Sequence, residues 1–324
     1  MKKQVLIIGA GQLGSRHLQG VLKSSMPMEV FVIDPSIDSL NIAQQRANEI
    51  KNKHDLHFNT DWINLPGSFD LVIVATNADI REKVVTQLFE NYKVGSLVLE
   101  KVLFQELDSY KRVGDLLSKH EISAWVNHPR RMFKSYKLLK GLLNPYTPKV
   151  YQVVGGNWGL GCNSLHFIDL IVYLSESRVN NMDADWLSDT ILESKRAGYV
   201  EFTGTIKGLL ENGSIFIITS LEGEPSSTTF TIFDTDNRFV IQEGGTPQIY
   251  HYKKAHAFNL ESFPFVMEFQ SDLSTRLVSD LFERGTCDLP SYDEARQTHE
   301  IFIAALLNKY NKIGGLQSHI LPIT

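Results

Sequence analysis

Cysteine is nearly absent from this chain of 324 residues, which carries only Cys162 and Cys287. The two lie far apart and form no Cys-x-x-Cys spacing, so neither a disulfide framework nor a zinc finger is expected, and a reducing cytoplasm is the simplest home. Long apolar runs are missing as well. The apolar stretch in MKKQVLIIGAGQLG is broken by Gly9 and Gly11 before it can serve as a signal-peptide core, and nothing approaches spanning length. Secretion and membrane insertion are therefore not expected. There is no excess of positive charge: 32 Lys and Arg against 37 Asp and Glu give a net charge of −5, which offers nucleic acid no electrostatic footprint. Internal repeats, low-complexity tracts and long Pro/Ser linkers are not found either.

What remains is a globular composition, 43% hydrophobic and 21% charged, in a chain longer than one ordinary domain. From residue 4 to about 127, the runs QVLIIG, EVFVID, LHFN, FDLVIVAT, SLVLEK and ISAWVN alternate with helical spacing near 37–51, 79–92 and 106–119. Several of these runs are apolar throughout, as strands covered by helices on both faces are. The pattern predicts an α/β Rossmann-type, doubly wound parallel sheet over residues 1–127. After residue 150, β-type runs follow one another: KVYQVVGGN, YVEFTGTIKG, GSIFIITSL, TTFTIFDT, NRFVIQEGG and QIYHY. Turn signals between them predict an antiparallel meander. With helical patterns at 164–176, 270–284 and 292–312, residues 128–324 are expected to form an α+β domain on an open, mostly antiparallel sheet.

Gly9-Ala10-Gly11-Gln12-Leu13-Gly14 lies between the first strand and a helix, the context that pyrophosphate binding requires. The first glycine permits a tight turn, the second a close approach of backbone to phosphate, and the third close packing of helix on strand. Bare N–H groups and the positive helix end then face the anion. Asp34 ends the next strand, where it is either a turn residue before Pro35 or an acceptor for the ribose hydroxyls. Strand, loop, helix, strand and acid in that order favour the second reading. A carboxylate there repels a 2′-phosphate, so NAD is expected rather than NADP.

Five ordered pieces, GAGQLGSRHLQGV, VATNADIREKVV, LVLEKVL, LHFIDLIVYL and LPSYDEARQTHEIFIAALL, make the chain resemble the glucose-fructose oxidoreductase and inositol dehydrogenase (Gfo/Idh/MocA) family. The resemblance implies a Rossmann domain followed by an open-sheet domain, with nicotinamide and substrate meeting between them. It also implies oxidation or reduction of a hydroxyl on a sugar, cyclitol or sugar nucleotide. Cofactor contacts are expected from Gly9, Gly11, Gln12, Leu13, Gly14, Asp34, Thr76, Asn77, Glu100 and Lys101.

Lys101 ends SLVLEK, at the carboxyl end of a parallel strand, where a lysine can stabilise a developing alkoxide. Glu100-Lys101 matches the family's Glu-Lys-Pro motif, with Val102 in place of proline. His166 and Asp169 reproduce the family's His-x-x-Asp spacing; the resemblance makes His166 the proton acceptor, kept neutral by the helix start, and Asp169 a support. Cys162 stands where the family often has a carboxylate, and reads as a small buried residue, a reactive thiol or a metal ligand, in that order; no metal site is expected. Asn163 is a candidate to take over the missing polar contact.

Substrate contacts are expected from Asn127, Arg130 and Arg131 in NHPRRMF, and from Trp158, Cys162 and Asn163. The two arginines read equally as carboxylate or phosphate binders and as a solvated basic turn. Tyr151 is more readily core than a stacking platform. His251 and His256 are read as a surface strand and loop, and Glu294, His299 and Glu300 as a solvated helix face. These readings converge on a cytoplasmic NAD-dependent oxidoreductase of an anionic sugar, a nucleotide sugar or a sialic-type acid of surface polysaccharide metabolism. The alternatives are a dehydrogenase of a neutral sugar or cyclitol and a silent nucleotide-binding regulator. A homodimer or homotetramer through the open sheet face is expected, with no nucleic-acid or membrane partner.

Overall fold

A computed structural model describes residues 2–315 and 317–324. The first sheet is built from β1 (Lys3–Ile8), β2 (Met28–Ile33), β3 (Asp55–Asn59), β4 (Ser68–Val74), β5 (Lys93–Leu99) and β6 (Ser123–Val126). All pairings are parallel, in the order β3-β2-β1-β4-β5-β6, the doubly wound arrangement expected from the sequence. Helices α1 (Gln12–Leu22), α2 (Ile37–Asn48), α3 (Ala78–Asn91) and α4 (Leu107–Lys119) connect the strands. Val5, Leu6 and Ile7 are wholly buried, which explains why β1 reads as an unbroken apolar run. Ser36 caps α2 by accepting from the Ser39 N–H at 3.2 Å, whereas Gly11 begins α1 with no side-chain cap.

The second sheet and the elements around it comprise α5 (Lys134–Leu142), β7 (Val150–Gly156), α6 (Leu160–Ser175), β8 (Val179–Asp183), a separate two-stranded pair β9 (Leu192–Glu193) and β10 (Val200–Glu201), then β11 (Gly204–Leu210), β12 (Ile215–Leu221), β13 (Thr229–Phe233), β14 (Asn237–Gln242), β15 (Gln248–Lys253) and β16 (Leu260–Pro264). It is not the simple meander expected. Its order is β16-β15-β14-β13-β7-β12-β11-β8, and β7 runs parallel to β12 because α6 carries the chain away from β7 before the sheet is completed. The other pairings are antiparallel. Phe216, Ile218, Phe230, Ile232, Phe239 and Ile241 are buried on one face, with Leu165, Ile168 and Ile171 of α6 in the same core. The alternate positions, Ile215, Ile217, Thr219 and Leu221 on β12, face the other way and are half-buried or exposed.

The chain closes with α7 (Gln270–Arg284) and α8 (Tyr292–Gly314). The compact units do not follow a single cut in sequence: residues 268–295 cluster with residues 1–104 and 108–129. Gly20 is the physical reason, since a Cβ there would lie 2.4 Å from the Ser271 carbonyl oxygen and from Ser274 Cβ. Only glycine lets α1 and α7 approach so closely. Thr275 then donates from its hydroxyl to the Gly20 carbonyl at 2.9 Å.

Candidate active site

The glycine loop after β1 offers a surface made of backbone. Gly9 has φ +95°, and a Cβ there would meet the Ala75 carbonyl at 2.9 Å. A Cβ on Gly11 meets nothing within 4 Å, so the loop borders open space just where α1 presents its uncapped N–H groups. Asp34 lies against this loop: Oδ2 accepts from the Ala10 N–H at 2.7 Å and Oδ1 from the Ser36 N–H at 2.8 Å. Each oxygen keeps a lone pair for a ligand hydroxyl. Gln12 and Leu13 are exposed in the first turn, and Arg46 holds Gln12 by its side-chain oxygen at 2.7 Å. Beyond β4, the Thr76 hydroxyl is buried with no hydrogen-bond partner, and Asn77 caps the start of α3 through its backbone alone. An open backbone cradle, a fixed carboxylate and an unsatisfied buried hydroxyl suit a dinucleotide.

Lys101, half-buried just past β5, is bracketed by two buried clamps. On one side Glu100 accepts from Asn127 Nδ2 at 2.6 Å and lies 2.8 Å from His17 Nε2. Burial pulls the Glu100 carboxyl upward, but the hydrogen bond and charge of His17, the Asn127 amide and the charge of Arg81 outweigh it and hold it below the usual glutamate range. On the other side Arg81, 1% exposed, donates to the carbonyls of Val102, Leu103 and Thr76. Arg81 and His17 both lie in stretches that carry the family resemblance, yet neither stands out in the sequence, because their partners are 21 and 83 residues away. Asn127 belongs to the Glu100 network rather than to an open surface.

In the second unit, α6 positions His166 half-buried. It is the seventh residue of a helix that starts at Leu160, beyond the first turn, where the helix dipole acts most strongly. The first turn is instead occupied by Glu201, whose carboxylate accepts from the N–H groups of Gly161 (2.7 Å) and Cys162 (3.1 Å). Nothing in the run YVEF marks that role. The Asn163 amide donates to the Trp158 carbonyl at 3.0 Å, and the Trp158 indole N–H to the Thr219 carbonyl at 2.9 Å. Both groups brace the entry to α6. Tyr151 is wholly buried, as the core reading has it.

Neither arginine of NHPRRMF is a solvated turn residue or an uncommitted anion binder. Arg130 makes a two-pronged pair with Glu243 (2.8 and 2.6 Å), to which Tyr136 also donates at 2.6 Å. Arg131 pairs with Asp169 at 2.7 Å, both nearly buried. Burial outweighs Arg131 in setting the Asp169 carboxyl, which lies above the usual aspartate range, while Arg130 brings Glu243 below the glutamate range despite its burial. We expect Arg131→Met to destabilise the fold by roughly 3–5 kcal/mol in urea unfolding, because it strands a buried carboxylate, and Arg131→Met/Asp169→Leu to recover most of that loss.

Two other sequence readings are corrected by burial. His251 is 6% exposed, stacks on Phe239 at 4.0 Å and bonds to Asn237, while His256 remains exposed beside Glu261. His299 is wholly buried rather than part of a solvated face.

Residues 3–128 match the family model GFO_IDH_MocA, described as an oxidoreductase family with an NAD-binding Rossmann fold. Over this segment the chain is similar to the Gfo/Idh/MocA oxidoreductases. That description gives NAD as the cofactor of this Rossmann domain. No curated protein matches the chain by sequence. Solved structures match almost all of it. An oxidoreductase from Agrobacterium radiobacter, solved with NAD+, L-tartaric acid and magnesium, is 13% identical over 98% of this chain and 100% of that one, with a TM-score of 0.74. Scyllo-inositol dehydrogenase from Lactobacillus casei, with NAD(H) and scyllo-inositol, is 14% identical over 96% and 98%, TM-score 0.69. The transcriptional regulator Gal80p from Kluyveromyces lactis is 14% identical over 96% and 93%, TM-score 0.73. At these identities the likeness is one of fold. Among the described residues no group of His, Cys, Asp and Glu is arranged to hold a metal, and no helix is long and apolar enough to cross a membrane.

Proposed function

We propose that this protein is an NAD-dependent oxidoreductase acting on a hydroxyl-bearing carbon of a sugar-type substrate. Lys101 carries the reading: a lysine just past the carboxyl end of β5, clamped on both sides, in a domain built for NAD. Bound nicotinamide supplies the hydride acceptor or donor. Gly9, Gly11, Gly14, Asp34, Thr76 and Asn77 hold the cofactor. Lys101 donates to the reacting oxygen and stabilises its growing negative charge, and His166 takes the hydroxyl proton. We assign residues 1–127, with residues 268–295 that cluster with them, to cofactor binding and the rest of residues 128–324 to substrate and subunit contacts, in the cytoplasm.

An anionic substrate drew its support from Arg130 and Arg131. Both are now accounted for by carboxylates of the chain itself, so we place an uncharged sugar or cyclitol first; the fold neighbour solved with scyllo-inositol holds a ligand of that kind. The test is to add uncharged sugars, cyclitols, nucleotide sugars and sialic-type acids to the NAD-loaded protein and follow the reduced-nicotinamide absorbance. Turnover confined to the charged sugars removes the uncharged assignment. Cys162 at the family's carboxylate position favours a second reading, a nucleotide-binding regulator; the fold neighbour Gal80p is a transcriptional regulator, and sugar binding without any absorbance change is the signature of this reading.

The outward face of the second sheet carries Ile217, Val240 and Tyr250 at half-buried positions on three strands. We assign it to contact between copies of the chain. Ile217→Glu is expected to convert the dimer or tetramer to monomer at micromolar concentration by light scattering, without lowering the melting temperature of the isolated subunit.

A further inference from the structure

Behind Lys101, side chains from both ends of the chain form one buried network in the first unit. Glu100 is 3% exposed and His17 and Ser274 are wholly buried. His17 Nε2 lies 2.8 Å from Glu100 Oε1, and His17 Nδ1 lies 2.8 Å from Ser274 Oγ. Gln270 donates to Ser274 Oγ at 3.1 Å and accepts from Asn127 Nδ2 at 3.2 Å. His17 Nε2 thus faces the Glu100 carboxylate, His17 Nδ1 faces the Ser274 hydroxyl, and the serine oxygen accepts from Gln270, while Asn127 Oδ1 is buried without a partner. The connectivity is that of a hydrolase triad, but a serine and histidine with no exposed surface meet no substrate, so no nucleophile is available here.

We infer that His17 is a positioning residue for Lys101, acting through Glu100; this rests on the oxidoreductase function proposed for the site. Glu100 directly precedes Lys101, so a carboxylate immobilised there fixes the backbone from which the lysine side chain leaves. Arg81 fixes the carbonyls that follow. A lysine has a flexible four-carbon stem, and its amine is held in place for a reaction only if the backbone beneath it is held. Ser274 completes the chain by fixing the His17 ring, which ties the lysine to α7, more than 150 residues downstream of it.

The test compares wild type with Ser274→Ala, a mild change, and His17→Gln, which keeps one donor. Two quantities are read: kcat and KM for hydride transfer, and the rate at which an amine-acylating reagent modifies Lys101, by peptide mass spectrometry, relative to the exposed Lys51 and Lys93. We expect native-like melting, NAD affinity within about threefold, a fall in kcat on the order of 10²-fold for His17→Gln and less for Ser274→Ala, little change in KM, and an altered Lys101 modification rate in both. Unchanged Lys101 reactivity in folded variants overturns the inference. If no protein, wild type included, turns over any sugar, the oxidoreductase reading fails, and the modification rate of Lys101 alone decides whether His17 positions it.

Discussion

Lys101→Met abolishes turnover and leaves NAD binding in place. Methionine keeps the length and much of the volume of the lysine stem, and the clamps on either side, Glu100 with His17 and Arg81 with the carbonyls of Val102 and Leu103, do not involve the ammonium group. What is lost is the charged donor to an oxygen that becomes an alkoxide. Removing one such donor typically reduces kcat by about 10²–10³, roughly 3–4 kcal/mol, and the loss is larger for a full positive charge than for an amide. The checks are steady-state rates on the identified substrate and NAD titration by fluorescence. A variant with more than about a tenth of wild-type turnover removes Lys101 from the chemistry. Lys101→Arg is not expected to rescue, because a planar fork does not place its charge where a point ammonium does.

Gly14→Ala loses both stability and cofactor, whereas Gly11→Ala loses cofactor alone. A Cβ on Gly14 would lie 1.7 Å from the Gly9 carbonyl oxygen and 2.8 Å from its carbon. Both are backbone atoms of the loop, which is itself held by the Gly9 N–H on the Ile33 carbonyl at 2.8 Å, so no side-chain rotation relieves the clash. The helix must lift off the strand, at about 1–3 kcal/mol or more, and the N–H cradle moves with it. Gly11 has φ −62° and ψ −162°, open to any residue, and a methyl group added there meets no atom within 4 Å. It instead enters the space where backbone meets pyrophosphate. Thermal melts with and without NAD separate the two: a lowered melting point for Gly14→Ala in both conditions, and for Gly11→Ala a native melting point that NAD no longer raises. Equal melting behaviour of the two variants removes the distinct roles given to these glycines.

The parts of the protein that depend on near neighbours were legible. Period and length of the apolar runs placed all six strands of the parallel sheet, and turn chemistry placed the glycine loop and Asp34, because a strand, a tight turn and a helix start are each decided within about ten residues. The helix at 270–284 is legible as well, but not its place in the first unit, which depends on Gly20 accepting Ser271 and Ser274 at close range.

Charge was where sequence alone fell short. Arg130 and Arg131 are adjacent and look equivalent in NHPRRMF, but their carboxylates lie 113 and 38 residues away, and only the folded chain shows that both are spent internally. His17 looks like any helical residue after a glycine loop until Glu100, Asn127 and Ser274 close around it. The amino-acid sequence by itself therefore determined the glycine loop, the two-sheet architecture and the lysine at the strand end, since these follow from local periodicity and backbone conformation. The tertiary structure alone decided which charged and polar groups are already paired, because a buried charge must find its partner wherever the fold brings one.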